Sequence, residues 1–95
     1  VSVEESITQD WLDWMKSEHI PEVMDCGIFV KAQINKVITQ DDSNNTFAIA
    51  YTCKNINILH QYQNNFSVAL QEKHIKRYGD KTVAFRTIME VIEDF

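Results

Sequence analysis

Glycine and proline are scarce in this sequence, which has 2 Gly and 1 Pro among its 95 residues. So few glycines exclude a glycine-rich loop of the kind that cradles phosphate groups. No apolar run reaches the roughly 18 residues that a transmembrane helix requires, so we expect no membrane partner. The chain also opens without the basic and then apolar stretch of a secretory leader, and secretion therefore has no support.

Positive charge is in short supply as well. The 9 Lys and Arg residues are outnumbered by 14 Asp and Glu, which gives a formal net charge of −5 at pH 7. Because a nucleic-acid surface normally needs a basic stripe, we expect no nucleic-acid partner. The local basic group of Lys73, His74, Lys76 and Arg77 is interpreted as the last turn of a helix, where cations interact favourably with the helix dipole.

Cysteine is limited to Cys26 and Cys53, neither of them in a CxxC pattern. Two isolated cysteines in a chain with its own core are typical of free thiols, and they predict a reducing, cytoplasmic location. The three histidines, His19, His60 and His74, are far apart and show no paired ligand spacing, so no metal site is predicted. The sequence also lacks the motifs of nucleophilic hydrolases, and we expect no cofactor.

The residue pattern that is present predicts six elements, in the order strand, helix, strand, strand, helix, strand. The strands are one ending in Val1–Val3 and three at Ile28–Thr39, Thr46–Cys53 and Thr82–Ile92. The first helix runs from Ser6 to a stop near His19, and Pro21 can open a further turn to Cys26 that Gly27 closes. The second helical region runs from Asn55 to Tyr78. The period of the apolar residues decides each assignment. By composition Asp41–Asn45 is a turn, and Asn64–Ser67 predicts a break in the second helical region.

This order predicts a single α+β domain over residues 1–95, with the ferredoxin-like arrangement of an antiparallel four-stranded sheet and two helices on one face. Two helices cover only one face of such a sheet, and the other face of a monomer should be polar. The third strand is instead apolar on both faces at Phe47 and Ala48, and the fourth at Val83 and Ala84. A homodimer in which two sheets pack face to face would bury the additional apolar face.

His19 is the candidate catalytic residue. On a helical wheel it falls in the apolar arc that centres near Trp11, and it precedes Pro21, which disfavours further helix. A partly buried histidine at such a point can act as a general acid or base near neutral pH. The alternative is a histidine that caps the last helix carbonyls. Trp14 lies at the edge of the arc, where it either packs at the core rim or flanks a ligand-binding pocket.

Arg86 is the second notable residue, because it lies inside an apolar strand with Glu90 on the same strand face. It either forms an ion pair there or holds an anion such as a carboxylate in the cavity. Tyr51 is either structural or contributes a hydroxyl group to the same place. Trp14, Tyr51 and Arg86 are therefore the candidate ligand-binding residues beside His19.

Several segments also carry a resemblance to a known family. The stretch WLDWMKSEHIPEVMDCGIF, with His19, Pro21 and Gly27, resembles a signature of dimeric α+β-barrel proteins related to the EthD-like group. The stretches FAIAYTC, YQNNFSVALQEKHIKRYG and VAFRTIMEVIED look closer still to an uncharacterised bacterial family of unknown function in that superfamily. The resemblance covers nearly the whole chain, although the first strand looks shortened relative to the family.

The resemblance implies a ferredoxin-like protomer that forms a sheet-to-sheet homodimer, with space between sheet and helices for a small organic or aromatic ligand. The wider superfamily includes cofactor-free monooxygenases, isomerases and members without known activity, and His19 is the one residue that matches its histidine. Two functions stay open. One is an enzyme or ligand-binding protein that uses a cavity near His19, and the other is a non-catalytic dimeric binding or regulatory module.

Overall fold

The described part of the chain combines helices with a four-stranded sheet. The structure, a computed structural model, describes residues 1–39 and 45–95. Its elements are β1 (Ser2–Val3), a 3₁₀ turn (Glu5–Ile7), α1 (Thr8–Trp14), a π-helical segment (Met15–His19), α2 (Ile20–Asp25), β2 (Lys31–Lys36), β3 (Asn45–Thr52), α3 (Ile56–Asn65), α4 (Ser67–Tyr78) and β4 (Thr82–Val83). The prediction of an α+β protein with a four-stranded antiparallel sheet is confirmed.

The sheet has the strand order β2-β3-β1-β4. Most of its pairing lies in the hairpin of β2 and β3, which are in register from Lys31 opposite Thr52 to Lys36 opposite Phe47. By contrast, β1 contributes only Ser2 and Val3, and each of these residues pairs with both β3 and β4. The paired strands are therefore six residues long in the hairpin and only two residues long where β1 joins β3 to β4.

Alternation of side chains in β2 and β3 places one face of the hairpin against the helices. Phe47 is buried and Ile49 is half-buried, whereas Ala48 and Ala50 are exposed on the opposite face. The faces of β3 are those that the sequence predicts, because side chains in a strand alternate with a period of two. Most of the predicted turn at Asp41–Asn45 lies outside the described residues.

The last strand is much shorter than predicted. The apolar pattern predicts a strand over Thr82–Ile92, but β4 ends at Val83, and residues 84–95, the C-terminal segment, form no regular element. Alternation alone does not make a strand, because a strand also needs a neighbour for its backbone groups. β1 offers only two residues to pair with, so the pairing stops there. Phe85 is consequently 86% exposed.

The first helix continues past the predicted stop at His19. α1 passes into the π-helical segment, and α2 then runs on to Asp25, with Pro21 in its first turn. Proline cannot donate the hydrogen bond that a regular helix requires, but this loss is tolerated where a helix begins. The wider π-helical turn before Pro21 lets the helix start again without a break.

The second helical region is interrupted as predicted. α3 ends at Asn65 and α4 begins at Ser67, so the described residues form three helices rather than the two expected, counting residues 8–25 as one. The Asn55 side chain accepts a hydrogen bond of 2.9 Å from the Ile58 backbone N–H and thereby caps α3. This contact confirms the predicted start, because a side-chain oxygen at this position satisfies a free N–H of the first turn.

The core lies between the helix-facing side of the sheet and the three helices. Its larger cluster joins residues from β1, α1, the π-helical segment, β3 and α4: Val3, Trp11, Met15, Phe47 and Tyr78. A smaller cluster joins Val23, Phe29 and Leu70. Trp11 is completely buried, as the helical wheel predicts for the centre of the apolar arc. The larger cluster positions the rings of the site described next.

Candidate functional site

Five aromatic rings meet where the π-helical segment crosses α4. We call them the histidine cluster: Trp11, Trp14, His19, His74 and Tyr78. The two imidazole centroids are 5.9 Å apart, although His19 and His74 come from different helices. The sequence places His19 in the same apolar arc as the two tryptophans, but it does not predict the arrival of the second histidine.

The π-helical segment is what stacks His19 on Trp14. In a regular α-helix, with ~100° per residue, residues five apart point about 140° away from each other. In a π-helix the repeat is closer to five residues, so the two side chains point the same way. Their rings are stacked with centroids 4.7 Å apart. The departure from regular helix therefore forms the contact.

His19 is buried, with 8% of its surface exposed. Among the residues that the structure describes, its buried Nδ1 atom has no hydrogen-bond partner. Such an atom costs about 1–3 kcal/mol relative to its hydrated state. The capping interpretation predicts a bond from this histidine to the last helix carbonyls. The structure does not favour that interpretation, because the helix continues through His19 into α2.

Burial lowers the pKa of His19, because desolvation disfavours the imidazolium; the Glu22 carboxylate opposes this effect, and the charges of Lys73 and Arg86 reinforce it. His19 is therefore neutral at pH 7. A neutral imidazole carries its proton on one nitrogen, which can donate a hydrogen bond. The other nitrogen is unprotonated and can accept a proton. The residue is in the correct state to act as a proton acceptor.

His74 is tied to the core by a hydrogen bond. The indole Nε1 of Trp11 donates to Nε2 of His74 at 2.9 Å. This contact requires an unprotonated Nε2, so the neutral ring carries its proton on Nδ1. Burial, then the neighbouring His19, then Arg86 lower the pKa of His74 to about 4. Both histidines of the cluster are thus uncharged at neutral pH.

Sequence reasoning missed His74, which it interprets as part of a basic helix end. A signal for its position is nevertheless present. Leu70, His74 and Tyr78 are four residues apart, and Leu70 and Tyr78 are buried on one face of α4. Residues with this spacing share a helix face. The histidine therefore belongs to the buried stripe, whereas Lys73 and Lys76 lie outside it.

The remaining candidate residues lie in three different places. Trp14 is half-buried at the edge of the cluster, with the guanidinium carbon of Arg77 5.6 Å from its ring centroid. Tyr51 belongs to a separate aromatic group, since its ring centroid is 5.0 Å from that of Phe29. Burial and the nearby Tyr62 raise the pKa of the Tyr51 hydroxyl group. The structure brings Trp14 and His19 together, and it places Tyr51 in the smaller core cluster.

Arg86 lies on the exposed C-terminal segment, within electrostatic reach of both histidines. Within the described part of the chain it forms no ion pair, and the alternative interpretation of a pair with Glu90 in the same chain does not hold. Its positive charge is therefore free to interact with an anion near the histidine cluster. The roles of His19, Trp14, Tyr51 and Arg86 as site residues stay predictions.

A shallow groove of about 320 Å³ runs along the outer side of the histidine cluster. It is lined by Trp14, Glu18, Glu22, Lys73, Lys76 and Arg77. The ion pair between Lys73 and Glu22 crosses it. His19 does not line this groove, but its stacking partner Trp14 does. Movement of the Trp14 ring would therefore connect the groove with His19.

The described residues contain no group of three or more His, Cys, Asp or Glu side chains that could hold a metal ion. Nor does any helix in the ranges 1–39 and 45–95 combine the length and apolar character needed to cross a bilayer. The Cys26 and Cys53 thiols are free and half-buried. The site itself combines aromatic rings with two neutral imidazoles, and Arg86 contributes a positive charge nearby.

Comparison with known families gives a match over residues 1–92 to a domain of unknown function, DUF4286. The chain belongs to the DUF4286 family. This membership confirms the expectation of an uncharacterised family, whereas the wider superfamily and the bacterial source stay predictions. No curated protein and no solved structure matches this DUF4286 chain.

Proposed function

We propose that this DUF4286 domain binds a small organic ligand with an aromatic ring beside His19, and that it does so as a homodimer of ferredoxin-like protomers in the cytoplasm. The observation that carries the proposal is the buried Nδ1 atom of His19, which has no hydrogen-bond partner among the described residues. A native core seldom leaves such an atom unpaired. A ligand group that bonds to it would offset the cost of its burial.

The surroundings of His19 favour an aromatic ligand with a negative charge. Trp14 already stacks on a flat ring at 4.7 Å, and its half-exposed position suits a second flat ring. Arg86 supplies a guanidinium that can bind a carboxylate in bidentate geometry. We therefore propose aromatic carboxylates as the ligand class. Tyr51 packs against Phe29 in a separate aromatic group and takes no part in this proposal.

A reaction at this site would use the protein's own groups. Neutral His19 can take a proton from an acidic C–H or O–H group of the ligand. Arg86 would stabilise the anion that results. The proposal needs no cofactor, because the proton acceptor and the cation both belong to this chain.

The architecture supports the ferredoxin-like part of the proposal. The element order and the antiparallel sheet agree with that arrangement over the proposed single domain of residues 1–95. All helices in the described part pack on the face of the sheet that carries Phe47, which leaves the face with Ala48 and Ala50 open. An open face of small residues is compatible with a second protomer.

A protein-observed NMR titration with benzoate, salicylate and indole-3-acetate tests the proposal, with benzyl alcohol as the uncharged match to benzoate. We expect at least one carboxylate to saturate the protein and to shift the ring signals of His19 and the indole signal of Trp14. His19→Phe, which keeps a flat ring but removes Nδ1, should weaken binding by roughly tenfold, the value of one hydrogen bond to a charged group.

The matched control is His60→Phe, because His60 is exposed on α3 and does not belong to the histidine cluster. It should bind like the parent protein. Equal binding by both variants would remove His19 from the site. Failure of all three carboxylates to bind at millimolar concentration would overturn the proposed ligand class.

A second function, a non-catalytic dimeric binding module, is favoured by a different observation. Large apolar side chains are exposed along the C-terminal segment, where Ile92 is 88% exposed. Exposed apolar surface of this kind marks a contact with a partner. A molar mass measured by light scattering decides the dimer itself. A monomeric mass at 100 µM protein would contradict it.

A further inference from the structure

The C-terminal segment follows the edge strand β4, exposes many large apolar side chains and pairs with no strand in the described part of the chain. Its exposed large apolar residues are Phe85, Ile88, Met89, Val91, Ile92 and Phe95. The strand order places β4 at one end of the sheet, so the outer backbone groups of Thr82 and Val83 have no neighbouring strand among the residues that the structure describes. Such an edge is a template for another chain.

The sequence of this segment is complementary to itself. When two copies run antiparallel with Ile88 opposite Ile88 of the second copy, Arg86 lies opposite Glu90 of that copy. The symmetry forms the same pair a second time. Phe85 then lies opposite Val91, and Thr87 opposite Met89. Opposite charges and apolar neighbours in directly facing positions both stabilise an antiparallel pair.

Neighbouring registers lack this match. A symmetric pairing centred on Arg86 places two guanidinium groups against each other, and one centred on Glu90 does the same for two carboxylates. Centring on Thr87 or Met89 leaves Arg86 opposite an isoleucine. Only the register centred on Ile88, among these five, satisfies the charges of the segment. Like charges directly opposite each other destabilise a pair.

We propose that two copies of this chain join by antiparallel pairing of their C-terminal segments about Ile88, so that each sheet continues into the other through β4. This inference rests on the proposed homodimer and specifies its contact as a strand edge rather than a sheet face. It explains why Arg86 has no partner within the described part of one chain. The guanidinium has five N–H donors, so a contact with Glu90 of the second copy leaves donors for the proposed ligand carboxylate. The pairing also gives a partner to the apolar side chains on both faces of the C-terminal segment, which follows β4 and pairs with no strand in the described part of one chain.

Two charge-reversing variants and their mixture test the pairing. Arg86→Glu and Glu90→Arg should each raise the dimer dissociation constant at least about tenfold, because each places like charges opposite one another twice. Positions 86 and 90 are both acidic in Arg86→Glu and both basic in Glu90→Arg. When the two variants are mixed in equal amounts they should therefore form a heterodimer, because opposite charges then face each other twice. Sedimentation equilibrium measures both effects.

Glu93→Arg is the matched control, because Glu93 faces the uncharged Val83 of the second copy in this register. It carries the same charge change as Glu90→Arg and should leave the dissociation constant within about twofold. Far-UV circular dichroism checks that all variants keep the fold. Amide hydrogen exchange should show protection between Phe85 and Val91 in the parent protein and in Glu93→Arg, but not in either charge-reversing variant alone.

The outcomes separate this inference from the proposed homodimer. A parent protein that is monomeric at 100 µM overturns both. A dimeric parent whose dissociation constant is unchanged in Arg86→Glu and Glu90→Arg keeps the homodimer but overturns pairing through the C-terminal segment. Single variants that are monomeric and fail to associate when mixed overturn the register centred on Ile88.

Discussion

At the residue scale, the burial of His19 does not stabilise the folded protein. Its Nδ1 atom is unpaired among the described residues, and its ring is held between Trp14 and His74. A flat apolar ring of similar shape would fit the same stack without a polar atom to satisfy. Sites that cost stability in this way are typical of functional positions.

His19→Phe should therefore leave the free energy of unfolding unchanged or raise it by up to ~1 kcal/mol, because replacing an unsatisfied polar group with an apolar one is nearly neutral or stabilising. Urea denaturation at pH 7 measures the difference. A loss of more than about 2 kcal/mol would show that Nδ1 makes a hydrogen bond in solution, and the ligand-binding proposal would lose its main support.

His74 predicts how stability depends on pH. Its pKa in the folded protein is about 4, below the ordinary value of 6.5, chiefly because of burial. As pH falls below 6.5 the unfolded chain therefore binds a proton before the folded one. The free energy of unfolding should fall by about 1–2 kcal/mol between pH 7 and pH 5, and the lowered pKa of His19 acts in the same direction.

Urea denaturation at both pH values measures this loss. In His74→Gln, which keeps an acceptor for Trp11 but does not titrate, the loss should shrink. His60→Gln is the control and should behave like the parent protein, since His60 is exposed. An undiminished loss in His74→Gln would assign the pH dependence to other groups.

The sequence predicts part of this site. The wheel correctly places Trp11 in the core. The stack of His19 on Trp14 depends instead on the π-helical turn, because residues five apart in a regular helix point away from each other. His74 is 55 positions after His19, as the numbering shows. Only tertiary packing brings it to the cluster. Periodicity identifies a buried face, but it does not show which face of another helix will pack there.

At the element scale, the cap of α3 is a contact that the sequence predicts and the structure contains. Asn55→Ala removes the 2.9 Å hydrogen bond to the Ile58 N–H and should lower the free energy of unfolding by about 1 kcal/mol. Asn57→Ala is the control, because Asn57 is exposed in the first turn of α3. It should be neutral or slightly stabilising, since alanine has the higher helix propensity.

Chemical denaturation of the two variants gives the comparison. Equal free energies for Asn55→Ala and Asn57→Ala would show that the cap contributes nothing in solution. A difference of ~1 kcal/mol in the expected direction would confirm that this helix starts where the sequence predicts.

Other elements show where local sequence is insufficient. The alternation in β3 and the break near Phe66 are local signals, and both are found as predicted. Pro21 is a local signal as well, yet the helix continues, because a π-helical turn accommodates the missing N–H. The strand predicted up to Ile92 fails for another reason. Its length depends on the neighbouring strand, and β1 has only two residues.

At the scale of the whole molecule, the homodimer predicts that stability depends on protein concentration. The free energy of unfolding of a dimer to two unfolded chains rises by about 2.7 kcal per mole of dimer for each hundredfold rise in protein concentration. The urea midpoint of the parent protein should therefore rise between 1 and 100 µM. In Arg86→Glu the midpoint should change less.

Fluorescence of the two tryptophans provides the readout for this titration, because Trp11 is completely buried. The control is again Glu93→Arg, which should follow the parent protein. A midpoint that is independent of concentration in the parent protein would contradict the dimer.

The shortness of β1, which has only two residues, affects how the sheet resists force. Ser2 lies opposite Val83 and Val3 opposite Thr82, so Val1 and Ala84 leave the pair from the same end. A force applied between these two residues acts on one pair of backbone bonds at a time and peels the strands apart, rather than loading all of them in shear. In a pulling experiment β4 should therefore detach first and at low force, while the hairpin of β2 and β3, with six paired residues in each strand, remains folded.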